Sequence, residues 1–181
     1  EQSHGRRNRI WEEEKAKSLV ERCLGKPAVV EETSKKSSKG APPLYDLTLL
    51  QREANSRFGF SAKNTLGLAQ SLYERHKLIT YPRTDSRCLP EDYLPTVEKV
   101  VAQQQQWQYG KFAAEALAKK YLKKDKRIFD NKKISDHFAV IPTSGLPKTL
   151  SEPELKIYQM IVQRFLAVFF PPAVYHNTTR L

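Results

Sequence analysis

The sequence predicts an α+β fold that is mostly α, in which a helical block is inserted between the two halves of a small mixed segment that contains β-strands. Three observations lead to this prediction. Apolar residues recur at helical spacing through the middle of the chain, β-like runs lie on both sides of it, and a lysine-rich loop closed by the proline pair at 42–43 marks the first boundary. With 181 residues, 39% of them hydrophobic, the chain is long enough to bury a core.

The first part, residues 1–41, is predicted to contain one helix and one strand. Helical spacing over residues 11–24 ends at Gly25 and Pro27. The run "AVVEET" that follows favours a strand, and the lysine-rich "SKKSSKG", residues 34–40, favours a loop.

The middle part, residues 42–143, is predicted to be the helical domain. Thr48 with Gln51 forms a capping box before the first helix, and Gly59 suits its C-terminal end. Ser61 is the predicted cap of a second helix that runs to Lys77, and Pro90 the predicted start of a third. A fourth helix is predicted over residues 111–124, and the block closes with "HFAVIPT" as a short strand.

The last part, residues 144–181, is predicted to return into the mixed segment. Ser151 and Glu154 form a capping box that begins a long amphipathic helix. The proline pair at 171–172 ends that helix, and a final strand follows. Since the sequence begins with Glu1 and stops within this strand, we expect a fragment of a longer protein.

The charge balance favours a polyanionic partner. Lysine and arginine number 31 against 20 acidic residues, a formal net charge of +11. No apolar run approaches the roughly 20 residues of a membrane helix, so no membrane partner is expected. The two cysteines and four histidines are scattered, which predicts no metal site and favours a reducing compartment; they are Cys23, Cys88, His4, His76, His137 and His176.

The stretch "LITYPRTDSR", residues 78–87, has the residue types of a catalytic site. A phenol is a poor nucleophile at neutral pH unless nearby cations stabilise the charge that develops on it or on its target. Arg83 lies two residues after Tyr81, and its planar guanidinium can bind two phosphate oxygens. Thr84 and Ser86 add hydroxyl donors, and Asp85 is placed to orient Arg83 or the arginine that follows it. The pattern fits a tyrosine that attacks a nucleic-acid backbone.

Plainer structures account for the same residues. A tyrosine at the end of a strand is usually a half-buried core residue, and "RTDS" is also an ordinary turn. His137, taken alone, is more often a histidine with a structural hydrogen bond than a ligand-binding group.

The motif "LITYPRTDSRCLP" resembles the active-site signature of type IA DNA topoisomerases, most closely the bacterial topoisomerase III branch. Two further segments in the same order strengthen the resemblance. The run "PPLYDLTLLQREANSRFGFSAKNTLGLAQSLYE" is similar to the sequence that precedes the family's active site, and "ISDHFAVIPT" resembles its later histidine-containing strand. The resemblance implies that residues 42–143 are the tyrosine-bearing helical domain and that the two flanks belong to the family's arch.

The resemblance also implies roles for nine residues. Tyr81 matches the nucleophile that forms a 5′-phosphotyrosine with DNA, and Arg83 matches the arginine at the scissile phosphate. The implied DNA-binding residues are His137, Thr84, Ser86 and Arg87, and the implied supporting residues are Thr80, Asp85 and Glu74.

The family's Mg²⁺ site and general acid belong to a Toprim domain with an acidic DxD-type cluster, and this sequence contains no DxD. The resemblance therefore implies single-stranded DNA and a Toprim domain of the same parent chain as partners, with Mg²⁺ bound only in the full-length enzyme. The whole enzyme is expected to relax or unlink DNA without ATP in the bacterial cytoplasm, near the nucleoid. The fragment alone is expected to be inactive. Its oligomeric state stays open.

Three other functions are compatible with parts of the sequence. A tyrosine recombinase would need paired arginines and a His-x-x-Arg, which occurs only at His4–Arg7. A non-catalytic module could bind single-stranded DNA through phosphates and stacked aromatic rings. A protein-interaction scaffold is the third alternative, and it would show no salt-dependent binding to DNA.

Overall fold

The computed structural model describes residues 10–27 and 29–180, and it is mostly helical with a small sheet, as the sequence predicts. Its six helices are α1 (Glu13–Cys23), α2 (Leu47–Phe58), α3 (Ala62–Glu74), α4 (Leu94–Gln104), α5 (Gly110–Ala118) and α6 (Glu152–Ala167). Its two strands are β1 (Glu32–Lys39) and β2 (Ala173–Arg180), and a 3₁₀ turn covers Asn131–Lys133. None of the helices in these two described ranges is long and apolar enough to cross a membrane.

The chain divides into two compact units. One contains the chain up to Ser37 together with the chain from His176 onward, and the other is Ser38–Tyr175. The division predicted from the sequence, with boundaries after residues 41 and 143, concerns domains of the parent protein, whereas these units are defined by compactness. It therefore stays a prediction. Residues 144–175, which the sequence assigns to the arch, lie in the same unit as Tyr81.

β1 pairs with β2 in a two-stranded ribbon whose residues are all exposed. Asn177 donates a hydrogen bond to Ser37 at 2.9 Å, and Arg180 pairs with Glu32 at 2.5 Å. The ribbon is thus held by strand pairing and polar contacts at its surface.

The ribbon corrects the prediction for the first part of the chain. β1 covers most of "SKKSSKG", which was predicted to be a loop, whereas Val29 and Val30 of the predicted strand precede it. The prediction rested on apolar β-branched residues that favour a half-buried strand, but both valines are exposed. Backbone pairing with β2, which no local pattern reveals, selects the strand instead.

The second unit is built around α3 and α6. α3 packs against α2 and α6, and α5 packs against α4 and α6. α3 contributes a fully buried stripe made of Thr65, Ala69 and Leu72. The face of α6 that fills the core includes Ile157, Tyr158, Ile161, Val162 and Phe165.

Most helix ends follow the predicted local signals. Ser61 caps α3 by accepting a hydrogen bond from the Asn64 amide at 3.1 Å, and Ser151 with Glu154 forms the capping box of α6. Gly59 ends α2 at φ 70°, in the left-handed region that favours glycine.

Four predicted helix boundaries need correction. The cap of α2 is Asp46, whose carboxylate accepts from the Leu49 amide at 2.6 Å, so Thr48 lies inside the helix. An ionised carboxylate at the N-cap also benefits from the helix dipole. α3 ends at Glu74, before Lys77 adopts φ 56°, and α5 ends at Ala118. α4 begins at Leu94, because residues 90–93 form a turn.

The predicted strand "HFAVIPT" is an extended segment without a continuous ladder. It forms isolated bridges, Tyr45 with Val140 and Ile79 with Pro142. Each bridge is a single residue pair, so the segment links the chain at Tyr45 to the chain at Ile79 without forming a sheet with either.

Candidate active site

The segment that carries the tyrosine motif, residues 78–89, is fixed by main-chain hydrogen bonds along its length. The Thr80 amide donates to the Ile141 carbonyl at 3.0 Å, and the Leu47 amide donates to the Thr84 carbonyl at 3.0 Å. The Leu89 amide donates to the Ile128 carbonyl at 2.7 Å. Three separate parts of the second unit therefore hold the motif in place.

Successive side chains of the motif alternate between solvent and core. Arg83, Asp85 and Arg87 are exposed, whereas Thr84, Ser86 and Cys88 are buried. An extended backbone directs neighbouring side chains to opposite faces, so the motif presents its charged residues on one face.

The ring of Tyr81 lies between two other aromatic side chains. Its centroid is 4.4 Å from the ring of His137 and 5.3 Å from the ring of Tyr73, the latter edge-on. Tyr81 is half-buried and His137 is exposed. Residues 56 positions apart in sequence thus meet at the phenol, and the structure brings the two predicted site residues Tyr81 and His137 together.

The hydroxyl of Thr84 explains how His137 reaches this position. It donates a 2.7 Å hydrogen bond to the His137 carbonyl and accepts one from the Ser86 amide at 3.0 Å. Thr80 acts in a similar way, since its hydroxyl donates to the Ala139 carbonyl at 2.9 Å and accepts from the Ile141 amide at 3.0 Å. Both threonines fasten the histidine-bearing segment to the motif.

The predicted DNA contacts of Thr84 and Ser86 do not match this geometry. Thr84 is 8% exposed and Ser86 3%, and the Ser86 hydroxyl donates to the Lys133 carbonyl at 2.8 Å. A DNA contact would require exposed hydroxyls, so the structure gives both residues a role inside the protein. The hydrogen bonds of Thr80 join the motif to the main chain at Ala139 and Ile141, and its supporting role in the reaction stays a prediction.

The charged residues of the motif have different surroundings. Arg83 is exposed and forms no hydrogen bond or ion pair with any residue that the structure describes. Arg87 donates to the carboxylate of Asp46, the cap of α2, at 2.6 Å. The Asp85 carboxylate accepts from the Ser135 hydroxyl at 3.0 Å, and its predicted role in orienting an arginine stays a prediction.

Two residues near the phenol are absent from the sequence-based assignment. Tyr73 supplies the edge-on ring, and the Lys77 ammonium lies 5.7 Å from the centroid of that ring. The available signal was their position in the sequence, with Tyr73 in the last turn of α3 and Lys77 directly before the motif. Glu74, the predicted supporting residue in "LYE", is the exposed last residue of α3 and has no recorded contact with Tyr81.

The described residues provide no metal centre at the phenol. Within residues 10–27 and 29–180, no group of His, Cys, Asp and Glu side chains could hold a metal ion. A cavity of about 630 Å³ in the same unit is lined mainly by apolar residues, among them Phe112, Phe170 and Tyr175, and by none of the predicted site residues. His4 and Arg7 of the recombinase pattern lie outside the described residues.

Comparison with known proteins identifies relatives of this chain. A family model described as DNA topoisomerase matches residues 1–181. A DNA topoisomerase 3 from Bacillus licheniformis is 49% identical over 157 residues, which are 85% of this chain and 22% of that protein. A DNA topoisomerase 3 from Bacillus subtilis is 43% identical over 176 residues, which are 96% of this chain and 24% of that protein.

A solved structure has a similar fold. Full-length topoisomerase I from Thermotoga maritima matches with a TM-score of 0.59 and 25% identity, over 90% of this chain and 26% of that chain. This chain therefore spans about a quarter of the length of the relatives it matches.

Proposed function

This chain belongs to the DNA topoisomerase family, and from that premise we propose that it is the tyrosine-bearing part of a type IA enzyme. In this proposal the parent protein cleaves and rejoins single-stranded DNA through Tyr81. It thereby relaxes negative supercoils or unlinks DNA circles.

The observation that carries the proposal is the set of groups around one phenol. Tyr81 contacts the exposed ring of His137, and Arg83, two residues along the chain, keeps its guanidinium in solvent. An exposed, unpaired arginine beside a tyrosine is available to bind a phosphate, and doing so requires no ion pair to be broken first.

The proposed reaction is an exchange of one phosphodiester for another. The Tyr81 oxygen attacks the phosphorus and loses its proton, a tyrosine–phosphate bond forms, and the bond from phosphorus to the 3′ oxygen breaks. The 3′ oxygen leaves as a hydroxyl after it gains a proton. Arg83 stabilises the charge on the phosphate oxygens, and His137 contacts the backbone beside the break. Attack by the 3′ hydroxyl reverses the step, so no ATP is consumed.

The proposal assigns the remaining chemistry to the rest of the parent protein. The described residues offer no set of metal ligands, so Mg²⁺ is proposed to bind a Toprim domain outside this chain. The 181-residue chain alone is accordingly proposed to be inactive. We propose the bacterial cytoplasm, at the nucleoid, as the place of action.

Covalent trapping in the parent protein tests the proposal. The full-length protein is incubated with Mg²⁺ and single-stranded DNA that is labelled at either its 3′ or its 5′ end, and then denatured. We expect the 3′ label to migrate with the protein, because a 5′-phosphotyrosine retains the downstream fragment. The 5′ label should appear on a shorter free strand.

Matched tyrosine variants assign the nucleophile. Tyr81→Phe should abolish the adduct, whereas Tyr175→Phe, a half-exposed tyrosine outside the site, should leave it unchanged. An adduct that carries the 5′ label, or one that survives Tyr81→Phe, would contradict the proposal. Salt-dependent DNA binding without any adduct would instead support the non-catalytic binding module.

A further inference from the structure

The segment from Lys119 to Lys133 carries an unusual share of the positive charge. It contains eight lysines and arginines against two aspartates, which accounts for six of the eleven formal charges of the chain. It lies between the end of α5 and the 3₁₀ turn and includes no strand. The sequence-based assignment gives these residues no role.

Three of the eight cations are neutralised locally. Lys119 pairs with Glu115 at 2.8 Å, Arg127 with Asp125 at 2.6 Å, and Lys133 with Asp130 at 3.1 Å. The other five side chains are exposed and form no ion pair or hydrogen bond with any described residue; they are Lys120, Lys123, Lys124, Lys126 and Lys132. We call these five residues the lysine rim.

The segment that carries the lysine rim is attached directly to the tyrosine motif. The Ser86 hydroxyl donates to the Lys133 carbonyl at 2.8 Å, and the Asp130 amide donates to the Leu89 carbonyl at 3.1 Å. Leu89 and Phe129 also form a parallel bridge. These contacts fix residues 129–133 of the segment against the motif, whose exposed face carries Arg83.

From this arrangement we propose that the lysine rim binds the phosphodiester backbone of the DNA strand that flanks the cleavage point. The inference rests on the proposed function, because it takes the strand at Tyr81 to be single-stranded DNA. Compact ammonium groups on flexible stems suit sequence-independent phosphate contact. Since the five lysines have no acidic partner among the described residues, phosphate contact requires no local ion pair to be broken.

Binding measurements on the 181-residue chain test the rim. The probes are 3′-fluorescein oligothymidylates of about 8 and about 25 nucleotides, lengths that bracket a typical single-strand site. Neutralisation of three rim lysines together, Lys123→Gln, Lys124→Gln and Lys126→Gln, removes up to three phosphate contacts. For the long probe, the slope of log K against log salt should fall by about 2, at about 0.7 per contact.

A matched triple variant separates local contact from net charge. Lys17→Gln, Lys35→Gln and Lys36→Gln remove the same charge from α1 and β1 of the first unit. We expect a slope change below about 0.5 for this control, because the proposal assigns no phosphate contact to these three lysines. The short probe should discriminate less between the two triple variants than the long probe does.

The possible failures are distinguishable. Two outcomes would contradict the proposed role of the lysine rim without contradicting DNA binding itself. One is an equal salt slope for the two triple variants, and the other is an equal loss of slope with the short and the long probe. The absence of salt-dependent binding by the wild-type chain would overturn both the rim and the DNA-binding part of the proposed function. Circular dichroism of both triple variants should match the wild type, because all six lysines are exposed.

Discussion

The tyrosine motif and the β1–β2 ribbon are both extended segments rich in serine, threonine and basic residues, yet the protein holds them in different ways. In the motif every second side chain is buried, whereas every residue of the ribbon is exposed. Buried hydroxyls of Thr80, Thr84 and Ser86 bond to the main chain of distant segments. The hydroxyl contact recorded in the ribbon, from Asn177 to Ser37, joins two exposed side chains.

The difference shows how a polar sequence can be made rigid. A buried hydroxyl that has lost water must keep its protein partner, since an unsatisfied buried polar group costs about 1–3 kcal/mol. An exposed hydroxyl exchanges its partner for water at little cost. We therefore expect substitutions in and under the motif to have large effects and matched substitutions in the ribbon to have small ones.

The largest effect is expected in the core under the motif. Leu72 is fully buried in α3, and its carbonyl accepts from the Leu78 amide at 2.9 Å where the motif begins. Leu72→Ala should lower the free energy of unfolding by about 2–5 kcal/mol, because the cavity is not refilled. Val174→Ala in the ribbon, where the valine is exposed, should change it by less than about 0.5 kcal/mol. Urea unfolding followed by circular dichroism measures both, and similar losses would contradict the comparison.

The next effect tests the buried hydroxyl itself. Thr84→Val keeps the side-chain volume but removes the hydrogen-bond partner of the His137 carbonyl and of the Ser86 amide. We therefore expect the free energy of unfolding to fall by about 2–3 kcal/mol. Thr84→Ser keeps the hydroxyl and should restore most of that loss.

The same substitution should also slow adduct formation by the parent protein by about tenfold, since the position of His137 depends on this bond. Thr178→Val in the exposed β2 strand is the control and should have no effect on adduct formation. A Thr84→Ser protein as impaired as Thr84→Val would show that shape, not the hydroxyl, is what matters.

The third effect is an acid-induced loss of stability in the second unit. Hydrogen bonds from the Ser151 and Ser71 hydroxyls lower the pKa of the Glu154 carboxyl to about 2 from its ordinary 4.5. A depressed folded-state pKa stabilises the protein fully above pH 4.5, and this stabilisation is lost as the pH falls toward 2. The contribution is on the order of 2 kcal/mol.

Unfolding measured across this range checks the effect. Glu154→Gln should be less stable at neutral pH and should show a flatter decline between pH 4.5 and 2. Glu32→Gln in the ribbon, whose carboxylate is half exposed, should follow the wild-type curve. A Glu154→Gln curve parallel to that of the wild type would assign the acid sensitivity to other groups.

The smallest difference concerns two arginine ion pairs. Arg87 binds Asp46, whose side chain is 7% exposed, while Arg180 binds Glu32, whose side chain is 50% exposed. Arg87→Gln should cost about 1 kcal/mol, because a nearly buried carboxylate loses its cation, and Arg180→Gln less than about 0.5 kcal/mol. Thermal unfolding at low and high salt distinguishes them, and a larger loss for Arg180→Gln would reverse the comparison.

Local signals in the sequence predicted much of the helical unit. Ser61, Gly59 and the Ser151–Glu154 capping box were located from residue type and spacing, since these contacts span five residues or fewer. The predicted cap of α2 was wrong. Thr48 fits a capping box, but Asp46 lies at the turn where the chain leaves its bridge with Val140.

The sequence by itself determined the mostly helical α+β class, the family and the identity of the candidate nucleophile, because these depend on periodicity and on a contiguous motif. The tertiary structure alone decided which motif side chains face solvent, that Thr84 holds His137 beside Tyr81, and that Asp85 binds Ser135. It also selected β1 in place of the apolar run before it. The physical reason is shared: each of these outcomes depends on pairing between segments about 50 to 140 residues apart, which no local propensity encodes.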